Sequence, residues 1–504
     1  MSAVAAGTGQ GATLDSGLYN EDLRPVQASE RSWTWLNYCT VWMGMVHNIV
    51  SYTAAASLIA LGMSVWQAIF TVITANVILI LAMCANGVAG AKYGLPFPVL
   101  MRAAFGYKGA QIPVFARAAV AMFWFAVQTY AGSVAINAII GAVIPVWTHL
   151  NVDIIGMGIN NWISFIIFWA LHLVIIKHGM ARVRFFELWA GPLVIVMMLG
   201  LVVWALNKAH GVGPLFHQPS KVHGHAFWVL FGATVTGLIG TWSTLVLNIP
   251  DFTRFSRSQK DQMIGQTVGL PVTALVFSFM SILITSGTVA AFGQSVANPV
   301  ELLIRMHSTP VLILGGIALL IATLSVNIAA NVVSPAYDLV NMFPRRLTFV
   351  SAGVISTIVA VVFVPWLWFQ HADRVFKVLN IIGGTLGPVA GIMIVDFFLL
   401  RKKSYDVRSF YVRTGEYAYR AGWNVRGLLA LALGLFAALA GNIIPGLSGL
   451  ANYAWFIGLG VGGLAYYLAM LPDPSVAADR RHPPGTEPVD GDELVAAGAG
   501  LEAA

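Results

Sequence analysis

Apolar residues in this chain come in long blocks, and short polar segments separate them. Twelve blocks reach spanning length, at roughly 36–62, 66–90, 111–145, 161–178, 187–206, 227–250, 266–292, 310–333, 349–371, 376–400, 427–445 and 452–471. A helix of about 20 apolar residues crosses the hydrocarbon core of a bilayer. Two blocks are interrupted at mid-membrane depth. The first block contains Trp42-Met43-Gly44-Met45-Val46-His47-Asn48-Ile49, and the sixth contains Gly237-Leu238-Ile239-Gly240-Thr241-Trp242-Ser243. A broken helix leaves backbone N–H and C=O groups free, which hydrocarbon tolerates only where they line a cavity or are buried in protein. Breaks at matching positions of two halves point to the binding site of a secondary transporter. The pattern predicts an all-α integral membrane protein of twelve transmembrane helices. Runs 1–5 and 6–10 form a five-plus-five inverted repeat with helices 1 and 6 broken, and runs 11 and 12 are additional.

Composition supports this reading. The 504 residues are 58% hydrophobic and 10% charged, against about 25% charged in soluble domains. The net charge of +7 is unevenly placed. An even number of spans puts both termini on one side. If that side is cytoplasmic, the inner segments hold 22 of the 28 Lys and Arg, and 401–426 alone holds seven. The outer loops hold Lys208, Lys221, Arg305, Arg374 and Lys377, and Arg117 opens run three. This is the positive-inside bias, and it accounts for the basic charge without a nucleic-acid partner. The expected organisation is a cytoplasmic segment 1–34, a transporter domain 35–472 and a disordered cytoplasmic tail 473–504, in a cell inner membrane. No HExxH, GxSxG, Walker A or CxxC pattern appears, so no enzyme, cofactor or metal centre is implied.

Several polar residues inside the runs need a reason. Trp124 and Gln128 are four apart and share a helix face. An indole beside an amide suits a flat heterocycle that stacks on the ring while its N–H and C=O edge is read by the amide. The alternative is an aromatic packing stripe with a helix–helix hydrogen bond. Asn327 and Asn331 also share a face, either as interhelical glue or as part of a substrate site, and Ser325 offers an oxygen to a cation. Trp242 lies well inside run six, too deep for an interfacial belt. His47 reads as the only histidine near the middle of a run, where ionisable groups are functional by default; the alternative is a neutral ring bonded to a nearby carbonyl. Asp396 precedes Arg401, Lys402 and Lys403 and pairs there. Gly383, Gly387 and Gly391 form a close-packing stripe. Two prolines and two glycines in 94–106 predict a structured inner loop, and Asn298–His307 a short outer helix with Pro299 in its first turn.

At these residues the chain resembles the nucleobase–cation symporter family of hydantoin, allantoin, uracil and cytosine permeases. The resemblance runs from about Glu30 to Tyr467 and is carried by ERSWTWLNYCTVWMGMVHN (30–48), FWFAVQTY (123–130), HGMARVRFFELWAGP (178–192), TWSTLVLNIPDFTRF (241–255), LSVNIAANVVSPAYD (324–338) and LGPVAGIMIVDFFLLRKK (386–403). The last five look closest to the allantoin and uracil permease branch. The resemblance implies twelve helices, a five-plus-five inverted repeat and alternating access. It implies that Trp124 and Trp242 sandwich the heterocycle and that Gln128 and Asn331 bond its edge. A sodium-driven hydantoin member carries Gln where this chain has Asn48, and Gly where it has Thr241, so a different substrate is expected. The family's sodium site falls on the carbonyls of Gly44, His47 and Ala322, the hydroxyl of Ser325, and Val326, which has no hydroxyl. That departure favours H⁺ over Na⁺ as coupling ion, although no midplane carboxylate stands out in the sequence. The expected function is import of a small neutral heterocycle, allantoin or uracil first, by a monomer in a lipid bilayer. The rival is a passive channel, which usually needs a continuous polar stripe or charged ring; the runs carry isolated polar clusters instead.

Overall fold

The computed structural model describes residues 14–177, 180–216, 219–367 and 372–479. The first apolar block forms two helices, α1 (Trp35–Val46) and α2 (Ile49–Ala60). There follow α3 (Val65–Tyr93), α4 (Phe97–Gly109), α5 (Gln111–Val143), α6 (Ile159–Lys177), α7 (Met180–Lys208), α8 (Gly213–Phe216) and α9 (Gly224–Asn248). Next come α10 (Pro250–Thr253), α11 (Gln259–Phe292), α12 (Pro299–Arg305), α13 (Thr309–Asn331) and α14 (Val333–Met342). The chain ends with α15 (Phe349–Ala360), α16 (Ala372–Ile394), α17 (Val425–Ile443), α18 (Ala454–Met470) and α19 (Pro474–Asp479). Two-residue strands at Asp153–Ile154 and Met157–Gly158 form a hairpin before α6.

Among the described residues, ten spans are long and apolar enough to cross a bilayer. The first block is not among the ten, because the break leaves two helices of 12 residues each. In the fifth, the apolar stretch Pro192–Lys208 is shorter than a full span. The lipid face is legible on α3. Trp66, Phe70, Ile73, Val77 and Leu81 are all exposed, at three- and four-residue steps, so they form one apolar stripe. The opposite face is buried against α9 and α11.

The break in the first block is where the sequence pattern put it. His47 leaves helical geometry at φ −82°, ψ 84°, and Asn48 is extended at φ −148°, ψ 167°. Asn48 then caps α2, its Oδ1 accepting from Ser51 N–H at 2.9 Å. The expected break in the sixth block is absent: α9 runs without interruption through Gly237–Ser243. The hydroxyls of Thr241 and Ser243 turn back to the carbonyls of Gly237 and Gly240 in their own helix. The glycines serve packing instead, because a Cβ at Gly240 would overlap the Leu379 carbonyl oxygen on α16. Gly387 and Gly391 similarly admit the backbone of α18 at Trp455 and Leu459, as the glycine stripe predicted. The eighth block bends instead, where Val332 at φ −112° separates α13 from α14.

The predicted inner loop is α4, and the short outer helix is α12, with Pro299 at its start and Asn298 as its cap. Residues 14–34 are docked against the basic-rich loops. Arg102 is buried and donates to the carbonyls of Leu18 (2.9 Å) and Phe410 (2.7 Å) and to Asn341 Oδ1 (2.6 Å). Tyr411 donates to Leu23 C=O at 2.7 Å. Asp396 pairs with Arg401 at 2.9 Å and accepts from Tyr405 and Tyr466. The start of the expected disordered tail is helical, as α19, and Asp473 pairs with Arg426 at 2.9 Å. Residues 1–13 of the expected N-terminal segment and 480–504 of the tail lie outside the described residues.

Candidate substrate site

Asn48, Trp124, Gln128, Thr241, Trp242 and Asn331 all line one cavity with about 360 Å³ of empty volume. They come from the α1–α2 break, α5, α9 and the end of α13. Trp124 is 4% exposed, while Trp242 is half-buried and meets Trp42 edge-on at a centroid distance of 5.8 Å. Two indoles and three amides around one space form a slot for a flat ring with polar edges.

Two hydrogen-bond chains polarise the amides. In the first, Asn48 Oδ1 is committed as acceptor to Ser51 N–H, so it also takes Gln128 Nε2–H, at 3.1 Å. Gln128 Oε1 is left buried with no partner. The second chain starts at His172 on α6. The Phe168 carbonyl can only accept, so His172 Nδ1 carries the proton, at 2.8 Å. His172 Nε2 therefore accepts from Asn327 Nδ2 at 2.9 Å. Asn327 Nδ2 also faces the Phe125 carbonyl and Thr129 hydroxyl, both at 3.2 Å. Asn327 Oδ1 then accepts from Asn331 Nδ2 at 2.9 Å. Each chain uses one amide N–H, so Gln128 and Asn331, which both line the cavity, keep an amide oxygen and a second N–H for the C=O and N–H edge of a ring. The two readings of run eight divide between its asparagines: Asn327 is glue between helices and Asn331 reaches the cavity. His172 lies inside the run 161–178 and carries the same signal as His47; its partner Asn327, 155 positions away, is what the sequence does not show.

The break also exposes backbone oxygens. In an unbroken helix the N–H groups of Asn48 and Ser51 would bond to the Gly44 and His47 carbonyls. Here Asn48 N–H goes to Val46 C=O at 3.0 Å and Ser51 N–H to the Asn48 side chain. α1 packs on α13, which carries Ala322 and Ser325. The Ser325 hydroxyl is buried without a hydrogen-bond partner. The His47 ring follows its plainer reading, with Nδ1 on the Met43 carbonyl and an edge contact to Phe277 at 4.9 Å. Val326 lines the substrate cavity.

Toward the basic-rich side lies a charged cluster that the sequence reading did not single out. Arg117 on α5 and Asp338 on α14 pair at 3.0 Å, and both side chains are fully buried. Asp251 on α10 is buried beside Arg117, with Oδ1 accepting from Phe97 N–H at 2.8 Å.

Fold and site define a multi-pass membrane transporter. The chain belongs to the family of permeases for cytosine/purines, uracil, thiamine and allantoin, whose model matches residues 25–458. It is 44% identical over 473 residues to the allantoin permease of Bacillus subtilis, covering 93% of this chain and 94% of that one. It is 36% identical over 470 residues to the purine-uracil permease of Arabidopsis thaliana, covering 91% and 78%. The fold matches the closed, bromovinylhydantoin-bound form of the nucleobase-cation-symport-1 transporter Mhp1, with a TM-score of 0.76 and 25% identity over 92% of this chain and 99% of that one.

Proposed function

We propose that this protein imports a small neutral heterocycle, with allantoin as first candidate and uracil as second, by cation symport with alternating access. The observation that carries the reading is the convergence of Trp124, Trp242, Gln128 and Asn331 on one cavity beside the α1–α2 break. The ring lies between the indoles, and its N–H groups meet the two amide oxygens. Asn48 orients Gln128 and shapes the cavity wall. In this reading the first and fifth blocks complete twelve spans and an inverted repeat, both termini face the cytoplasm, and a monomer works in the inner membrane. Uptake of labelled allantoin, competed by uracil, hydantoins and purines, tests it. Allantoin and uracil should compete best, and a chain that takes up neither would exclude the reading. Gln128→Leu and Asn331→Leu should each cut affinity more than loss of an apolar contact would, because ring N–H groups are left unpaired. An unchanged competition profile in both variants would remove the amide assignment.

The coupling ion in this reading is H⁺. A stripped Na⁺ needs replacement oxygens, and Val326 supplies none where sodium-coupled relatives carry a hydroxyl. Gly44, His47, Ala322 and Ser325 remain as possible ligands. Uptake should change little when Na⁺ is replaced by choline, and should fall when the pH gradient is collapsed. Val326→Thr should raise sodium sensitivity. Strong sodium stimulation of the native protein in vesicles with separately imposed gradients would reverse the assignment.

A further inference from the structure

A second cavity, with about 430 Å³ of empty volume, adjoins the first. Ser51, Thr241 and Trp242 line both, so these residues form a shared wall. The second cavity lies among α2, α3, α9 and α11, and most of its lining is apolar, including Val72, Leu79 and Leu238. Its deepest-set polar residue is Asn76, near the middle of α3 and only 7% exposed. Asn76 Nδ2 donates to the Val72 carbonyl of its own helix at 2.9 Å. That bond fixes the amide and leaves Oδ1 buried with no hydrogen-bond partner.

A carbonyl oxygen held at this depth without a donor is costly, because its desolvation is uncompensated. An asparagine acting as interhelical glue would spend its amide on a neighbouring helix, and Asn76 bonds only its own. Asn76, with this unfilled acceptor, lines a cavity that abuts the ring slot. A ligand seated in the slot can meet it only through a substituent that passes the Ser51–Thr241–Trp242 wall. Ser51 and Thr241 make part of that wall polar, while the apolar lining beyond it excludes a charge.

We propose that this cavity is the substituent pocket of the transport site, where Asn76 Oδ1 accepts an N–H from an uncharged polar substituent such as a ureido group. The proposal rests on the transport reading above and adds a specificity residue to it. A hydantoin ring bearing a ureido group offers a polar group to each cavity, whereas a bare hydantoin or uracil offers one only to the first. The pocket therefore selects substituted rings over bare ones.

The test is the ratio of inhibition constants of allantoin and unsubstituted hydantoin, measured in the wild type, Asn76→Leu and Asn76→Ala. A ratio taken within each variant cancels losses of folded protein, and Asn76→Ala removes the acceptor without added bulk. Wild type should favour allantoin, and both variants should lose that preference by about tenfold. Hydantoin itself should be little changed. Equal losses for both ligands, or an unaltered ratio, overturn the pocket. A wild type that takes bare rings and rejects allantoin overturns the pocket while the transport reading stands. A wild type that takes no heterocycle overturns both.

Discussion

Trp124→Ala and Trp242→Ala should each weaken heterocycle binding by about tenfold or more. Stacking of a flat ring on an aromatic face contributes on the order of 1–3 kcal/mol, by analogy with bases stacked on side chains. Trp124 is buried in the cavity wall, and Trp242 is held by its edge contact with Trp42. Replacement by Phe should retain part of the affinity, because a π-face remains. The check is equilibrium binding to purified protein, with the unfolding midpoint of each variant measured alongside. A folded Trp242→Ala variant with native affinity would remove the sandwich.

The second large effect concerns stability. Arg117 and Asp338 are both fully buried and 3.0 Å apart. Removing one partner of such a pair leaves an uncompensated charge, at a typical cost of about 3–5 kcal/mol. Arg117→Leu and Asp338→Leu should therefore each lower thermal stability in detergent strongly. The double variant should recover part of the loss, since neither member of the pair is then stranded, while Asp251 still loses the charge of Arg117 beside it. The pair joins α5 to α14, so the single variants should also perturb the basic-rich end of the site. Additive losses in the double variant would show that the two side chains do not depend on each other.

What the sequence disclosed, and what it did not, divides by the range of the interactions. The α1–α2 break was legible because its causes are local. Asn48 caps the next helix through Ser51, three residues on. The apparent break at Gly237–Ser243 was misread because glycine loosens a helix but also lets another backbone approach. Which role applies at Gly240 depends on Leu379, far along the chain. Residues that line the cavity from one helix face were legible from four-residue spacing, as with Trp124 and Gln128. The groups that orient them were not. His172 acts through Asn327, 155 positions away, and Arg117 finds Asp338 at a separation of 221. Asn76 gave no signal, because an amide in an apolar run commonly bonds a neighbouring helix. Only the packed structure places its free oxygen beside a cavity.

The central claim is that the cavity carries a heterocycle across the membrane by alternating access, and counterflow tests it most directly. Proteoliposomes containing the pure protein are loaded with unlabelled allantoin and diluted into labelled allantoin, with no ion gradient imposed. A carrier exchanges one molecule for another, so labelled substrate should accumulate transiently above its equilibrium level. Trp124→Ala should abolish most of that overshoot. Uptake of labelled allantoin with no trans-stimulation would mark a passive pore, and no uptake of allantoin or uracil would contradict the account outright.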